Sequence, residues 1–196
     1  MTLSADRPLE ERLATYELLQ DLVECSIENA NNIAKMNLWE PLLSLIESPE
    51  KDLRLSTLRL IAVAARNNPE AAQHLDKHQV VERLLSMLLT NDHQHDIVTI
   101  RRILMAISAF CNTVDNRDLM HFMEKRSIDV LESIAKNFES EESLLDQMAF
   151  LVLKYSWHHR KLPTHLPKGP FYDRINCLHL QHCNDPECKL SLSHRQ

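Results

Sequence analysis

The chain has 196 residues, of which 44% are hydrophobic and 26% charged, with a formal net charge of −6 and one glycine, Gly169. Average usage would supply about 7% glycine. Dinucleotide fingerprints, phosphate-binding loops, kinase Gly-rich loops and the G-x-S-x-G nucleophile elbow are therefore excluded, because each needs glycines where backbone turns sharply or meets phosphate.

Tight primed hairpins also lean on glycine, which disfavours a meander or sandwich and leaves a chain of helices. Helical periodicity is strong over the first 157 residues. Leu9, Leu13, Tyr16, Leu19, Val23 and Ile27 share one face and predict a first helix, with Pro8 where a first turn accepts proline. Leu42, Leu45 and Ile46 predict a second, opened by Trp39-Glu40-Pro41. Ser48-Pro49-Glu50 starts a third, with Leu55, Leu58, Ile61, Ala62 and Ala65 on its buried face. Pro69 opens a short piece after Asn67-Asn68, and no proline follows until Pro163. A last long helix carries Leu144, Leu145, Met148, Leu151, Val152 and Tyr155. The carboxylates of Glu139-Ser140-Glu141-Glu142 mark its N-terminus, where the helix dipole favours negative charge.

These helices repeat. Trp39, Leu42 and Leu43 align with Val81, Leu84 and Leu85, and Val81 and Leu84 with Ile128 and Leu131; Leu58, Ile61 and Ala65 align with Leu104, Ile107 and Cys111. The offsets of 42 to 47 residues match the armadillo/HEAT period. The predicted fold is all-α: an armadillo-like right-handed α-solenoid of about three repeats over residues 1–157, then an irregular C-terminal tail, 158–196. Armadillo units commonly place glycine before the medium helix, but here those sites read Met36-Asn37-Leu38, His78-Gln79-Val80 and Arg126-Ser127-Ile128, so atypical turns are expected. In a solenoid the long helices line a concave face that binds a macromolecule, and no nucleophile with an arranged base is found.

The tail differs in composition. It holds six of the 22 Lys/Arg and three of the 28 Asp/Glu, a net of +3 against −9 for the body, with six of the 11 histidines and three of the five cysteines. Cys177, Cys183 and Cys188 with His179 or His182 are the candidate zinc ligands, since zinc takes four thiolates or imidazoles. Their Cys-x5-Cys-x4-Cys spacing is not the paired Cys-x2-Cys of a small knuckle, so an unliganded tail is the other reading. Asp92, His93, His95 and Asp96 in the loop 91–96 read as a solvated connector rather than a cation site. The negative net charge gives no reason to expect nucleic acid, no apolar run approaches the ~18 residues of a membrane span, and residues 1–7 lack a signal-peptide core. A cytoplasmic monomer without a cofactor is expected.

At Asn29-Ala30-Asn31-Asn32 and on through Leu38-Trp39-Glu40-Pro41-Leu42-Leu43, the sequence resembles the armadillo-type nucleotide-exchange factors of heat-shock protein 70, especially the fungal cytosolic Fes branch. The similarity starts at Leu9-Glu10-Glu11-Arg12-Leu13-Ala14, passes through Arg66-Asn67-Asn68 and reaches about Trp157. The resemblance implies a co-chaperone whose concave face clasps lobe II of the chaperone's ATPase domain, opens the nucleotide cleft and releases ADP, with no group of its own touching nucleotide. It implies that Ala30 contacts lobe II. The place where the family has a basic residue falls at Asp146 or Gln147. The candidate partner-binding residues are Ala30, Asn31, Arg59, Val63, Arg66, Met105, Ala109, Asn112 and Met148. Importin-type grooves grip basic peptides with Trp and Asn four apart; the pairs here are Arg59/Val63, Met105/Ala109 and Met148/Val152, which suit a folded protein surface instead. Met105 and Met148 also read as plain core residues. An armadillo adaptor without exchange activity is the alternative function.

Overall fold

Helix boundaries follow local chemistry along the chain. The computed structural model describes residues 7–89, 96–111, 113, 117–138, 140–159 and 170–182. Helix α1 (Leu9–Cys25) stops at Ser26, whose backbone turns extended and whose hydroxyl accepts from the Glu28 amide (3.3 Å), capping α2 (Ile27–Lys35). This break removes Ile27 from the first helix: it opens α2 and is 56% exposed, whereas Tyr16, Leu19 and Val23 are buried as expected. Then come α3 (Trp39–Leu43), α4 (Lys51–Ala65), α5 (Pro69–Lys77) and α6 (Val80–Leu89). Pro69 sits at the first turn of α5, and Asn68 caps it by accepting from the Ala71 amide (3.2 Å).

Asp96 caps α7 (Ile97–Phe110), accepting from the Val98 and Thr99 amides (2.9 and 3.1 Å) and pairing with Lys51 (2.7 Å). Burial pushes its carboxyl up, but these bonds outweigh that and hold it below the usual carboxylate range. This is the structural role of the one member of the 91–96 loop among the described residues. Helices α8 (Arg117–His121) and α9 (Ser127–Asn137) are joined by a π turn, Phe122–Arg126, and α10 (Glu142–His159) follows. Inside the expected tail, α11 (Pro170–His182) is a regular helix. Phe171 and Ile175 are buried and Leu178 half-buried along its i, i+4, i+7 face, and α11 packs against α10.

All described secondary structure is helical, and the helices stack as a solenoid. Two shorter helices precede a long one in α2-α3-α4, in α5-α6-α7 and in α8-α9-α10. The long helices form a ladder in which α1 packs on α4, α4 on α7, α7 on α10 and α10 on α11. The aligned sets Leu42/Leu84/Leu131, Leu58/Leu104, Ile61/Ile107 and Ala65/Cys111 are all buried between the layers. A fully buried Leu or Ile contributes about 1.5–3 kcal/mol, so these repeated positions hold the stack together.

The turns compensate for the missing glycine. Asn37, Asn67 and Gln79 adopt left-handed backbone, with φ of 53°, 57° and 56°. Asn37 and Gln79 stand at two of the three sites before a medium helix. After Asn37 the Leu38 amide donates back to the Ile33 carbonyl (3.0 Å), a closing bond that normally relies on glycine. At the third site Ser127 has φ −57°, and the π turn replaces a left-handed residue.

Candidate functional site

The ladder of long helices places one side chain per turn from each rung on a common face. Between α4, α7 and α10 lies a groove of about 240 Å³, with Ala62, Val63 and Arg66 on one wall, Met105, Ser108 and Ala109 on its floor, and Gln147, Phe150 and Lys154 on the other wall. Val63 and Arg66 also line an adjoining hollow of about 270 Å³ bounded by α1, α2 and α4, where Ala30 forms part of the floor. Of the residues anticipated from sequence, Ala30, Val63, Arg66, Met105 and Ala109 are thus brought together.

The others divide. Arg59 is exposed beside this face and pairs with Glu24 (3.5 Å). Asn31 is buried and presents no surface: its amide donates to Glu70 (2.8 Å) and its carbonyl accepts from Asn68 (3.0 Å), while the Asn68 amide also reaches the Ile27 carbonyl (3.3 Å). This network ties α2 to α5 and fixes the bend that places Ala30. Met148 is wholly buried, as is Val152, so both belong to the core. The reason is register. Exposed Arg59, Met105 and Phe150 occupy matching places on successive long helices, 46 and then 45 residues apart, whereas Met148 follows Met105 by only 43. Phe150 is the residue that sequence reasoning missed; carrying the offset near 46 from the Leu58/Leu104 pair onto α10 finds it. Asn112 lies outside the described residues.

Lys154 is the second missed residue. Its Nζ donates to the Ser108 carbonyl (2.6 Å) and hydroxyl (3.3 Å), both neutral acceptors. Burial lowers its pKa, and burial pushes the neighbouring Cys111 thiol up to about 12, so Cys111 stays neutral and offers no compensating charge. Gln147 is held by donation to the Arg101 carbonyl (2.9 Å).

Sequence comparison adds relatives to this geometry. An Hsp70 nucleotide exchange factor FES1 of Eremothecium gossypii is 26% identical over 144 residues, covering 72% of this chain and 48% of the relative. FES1 of Candida glabrata is 32% identical over 99 residues, 50% of this chain and 34% of its own. The protein of the same name from Schizosaccharomyces pombe is 35% identical over 102 residues, 52% of this chain and 34% of its own. The chain is similar to the fungal Hsp70 nucleotide exchange factors. It spans about half the length, or less, of these curated relatives. No protein-family model and no solved structure matches it.

The structure also shows what stands where the resemblance anticipates a basic residue. Asp146 faces α11 and takes a two-pronged bond from Arg174, with Nη2 to Oδ2 at 2.8 Å. That bond holds the Asp146 carboxyl below its ordinary range and raises Arg174. Gln147, the other candidate place, lines the groove without charge. Of the zinc candidates, Cys177 is exposed on α11 and His179 lies on the same helix, while Cys183 and Cys188 fall outside the described residues. Among the described residues no three His, Cys, Asp or Glu side chains are grouped to hold a metal, and no helix is long and apolar enough to cross a membrane.

Proposed function

We propose that this protein is a co-chaperone that binds the ATPase domain of Hsp70 through its long-helix face and promotes ADP release. The carrying observation is the similarity to named Hsp70 nucleotide exchange factors across 72% of the chain. The groove that gathers Ala30, Val63, Arg66, Met105 and Ala109 supplies a surface for the purpose. The role is non-enzymatic and uses no cofactor or nucleic acid; the protein acts as a cytoplasmic monomer. It works by population shift. A clamp that prefers the open nucleotide cleft raises that population, and each ~1.4 kcal/mol of preference changes the equilibrium tenfold. Linkage makes the effect reciprocal, so bound ADP must weaken the clamp by the same factor by which the clamp weakens ADP.

The test is stopped-flow release of a fluorescent ADP analogue from full-length Hsp70, chased with ATP, with and without this protein. Accelerated release is expected, together with tighter binding to nucleotide-free than to ADP-loaded chaperone. Unchanged release and no binding would overturn the reading. Asp146, engaged by Arg174, favours a second reading in which the protein is an adaptor that binds without exchange; binding with unchanged release would select it.

A further inference from the structure

The body of this protein is strongly acidic, yet among the described residues the groove between α4, α7 and α10 is lined by two cations, Arg66 and Lys154, and by no carboxylate. Lys154 is half-buried and its ammonium meets only the neutral oxygens of Ser108, leaving one donor unused among the described residues. A charge withdrawn from water without a counter-charge is costly, and an arriving anion relieves that cost. Arg66 is exposed, lies in both hollows and makes no ion pair among the described residues. Among the described residues the only acid lining the adjoining hollow, Glu24, is taken by Arg59. Between the cations stand exposed apolar groups, Met105 at 42% and Phe150 at 45%. The Arg102 guanidinium sits 3.9 Å from the Met105 sulfur and adds to the positive rim.

We infer that this groove takes a protein surface bearing carboxylates beside an apolar side chain, with Lys154 and Arg66 binding the carboxylates and Met105 and Phe150 packing on the apolar group. The inference rests on the reading above that the long-helix face meets the partner, and it adds the partner's chemistry. Charge complementarity selects the occupant. A basic peptide would leave Lys154 uncompensated, and a bare phosphate would leave Met105 and Phe150 wet.

The test uses the full chain and the purified ATPase domain of Hsp70. Affinity is measured at low and high salt for the wild type, Lys154→Met, Arg66→Ala and the remote control Lys77→Ala. Lys154→Met keeps the aliphatic stem, and a thermal melt shows whether it folds; Arg66→Ala alters an exposed residue, so its result does not depend on folding. Each groove variant is expected to weaken binding roughly tenfold and to flatten the salt dependence, with the control unchanged. Wild-type affinity and salt dependence in both groove variants would overturn the inference.

If the wild type does not bind the ATPase domain, the functional reading fails and the groove is judged by a second probe. A blocked peptide of alternating Glu and Phe is titrated against the methyl-labelled protein, with a Lys/Phe peptide and inorganic phosphate as comparisons. A shift of the Met105 methyl with the acidic peptide alone, lost in Lys154→Met, supports the inference. No shift, an equal shift with phosphate, or a dimer that dissociates in Lys154→Met would each overturn it.

Discussion

Cys111 and Lys154 occupy one half-dry corner beneath the groove and give the residue scale its sharpest test. Burial raises the Cys111 thiol to about 12, while Cys25 is exposed at the end of α1. The reactive species is the thiolate, so iodoacetamide at pH 8 should label Cys25 in the native protein and Cys111 only after denaturation. Mass spectrometry of the labelled peptides reads both, and equal labelling would contradict the packing. Tyr16 gives a pH dependence. Its hydroxyl donates to the Leu42 carbonyl (3.0 Å), and burial raises its pKa to about 12. The folded state therefore holds this proton above the pH where the unfolded chain releases it. The contribution is complete below about pH 10 and is lost as pH rises toward 12, by at most about 1.4 kcal/mol per unit. Alkaline denaturation of Tyr16→Phe should lack that added slope, at a neutral-pH cost of about 0.5–1.5 kcal/mol for the hydrogen bond. At this scale sequence was an uneven guide. Arg66 and Met105 were legible because polar or large residues interrupt an apolar face at helical spacing. Met148 stayed open between groove and core, because a Met after a Met at nearly the right interval satisfies periodicity on either side of a helix; its burial selects the core. Only the burial of its neighbours fixes which side faces out. Asn31 shows the reverse: a polar residue in a polar bend reads as surface, yet its partners Glu70 and Asn68 lie 39 and 37 residues away, beyond any local pattern.

At the scale of elements, the lack of glycine becomes a property of particular turns. Asn37 and Gln79 hold left-handed backbone after α2 and α5, and a Cβ makes that conformation costly, more so for Gln than for Asn. Gln79→Gly should raise stability by up to about 1 kcal/mol and Asn37→Gly by less, read as an upward shift in the thermal midpoint; Ser127→Gly, where φ is negative, should lower it. Asn68 serves two elements at once, capping α5 and bridging to Asn31 and Ile27, so Asn68→Ala should cost about 1–3 kcal/mol in a denaturant titration. The docking of α11 is linked to acid. The depressed pKa of Asp146 means that its pairing with Arg174 contributes above the ordinary carboxylate pKa and is lost as pH falls through the acid range. The protection of α11 amides, measured against their intrinsic exchange rate at each pH, should fall between neutral pH and pH 3, and Arg174→Ala should abolish that pH dependence. Sequence located most elements, since Pro8, Pro69 and the Glu139–Glu142 carboxylates are signals carried by single residues. It ran α1 on through Ile27, because Ser26 breaks the helix by backbone geometry while the apolar spacing continues. It also left α11 in an irregular tail, because a helix that short is stabilised by Phe171 and Ile175 packing on α10 more than by its own propensity.

Across the whole molecule, the solenoid was legible because two classes of helix repeat at nearly one interval, and the partner chemistry was not, because the groove is assembled from three rungs far apart in sequence. Stability should follow the ladder. Leu58→Ala or Ile61→Ala, wholly buried on α4, should cost about 2–5 kcal/mol, whereas Leu18→Ala, 55% exposed on α1, should change stability by under about 0.5 kcal/mol. A denaturation series on the three variants checks the contrast. The ladder has a temporal consequence too. The rungs α4, α7 and α10 each pack on the rung just before them, a segment some 45 residues upstream, so each closes a loop of similar and modest length. As the chain leaves the ribosome, α4 can settle on a finished α1, α7 on α4 and α10 on α7, and α11 then closes over α10 last.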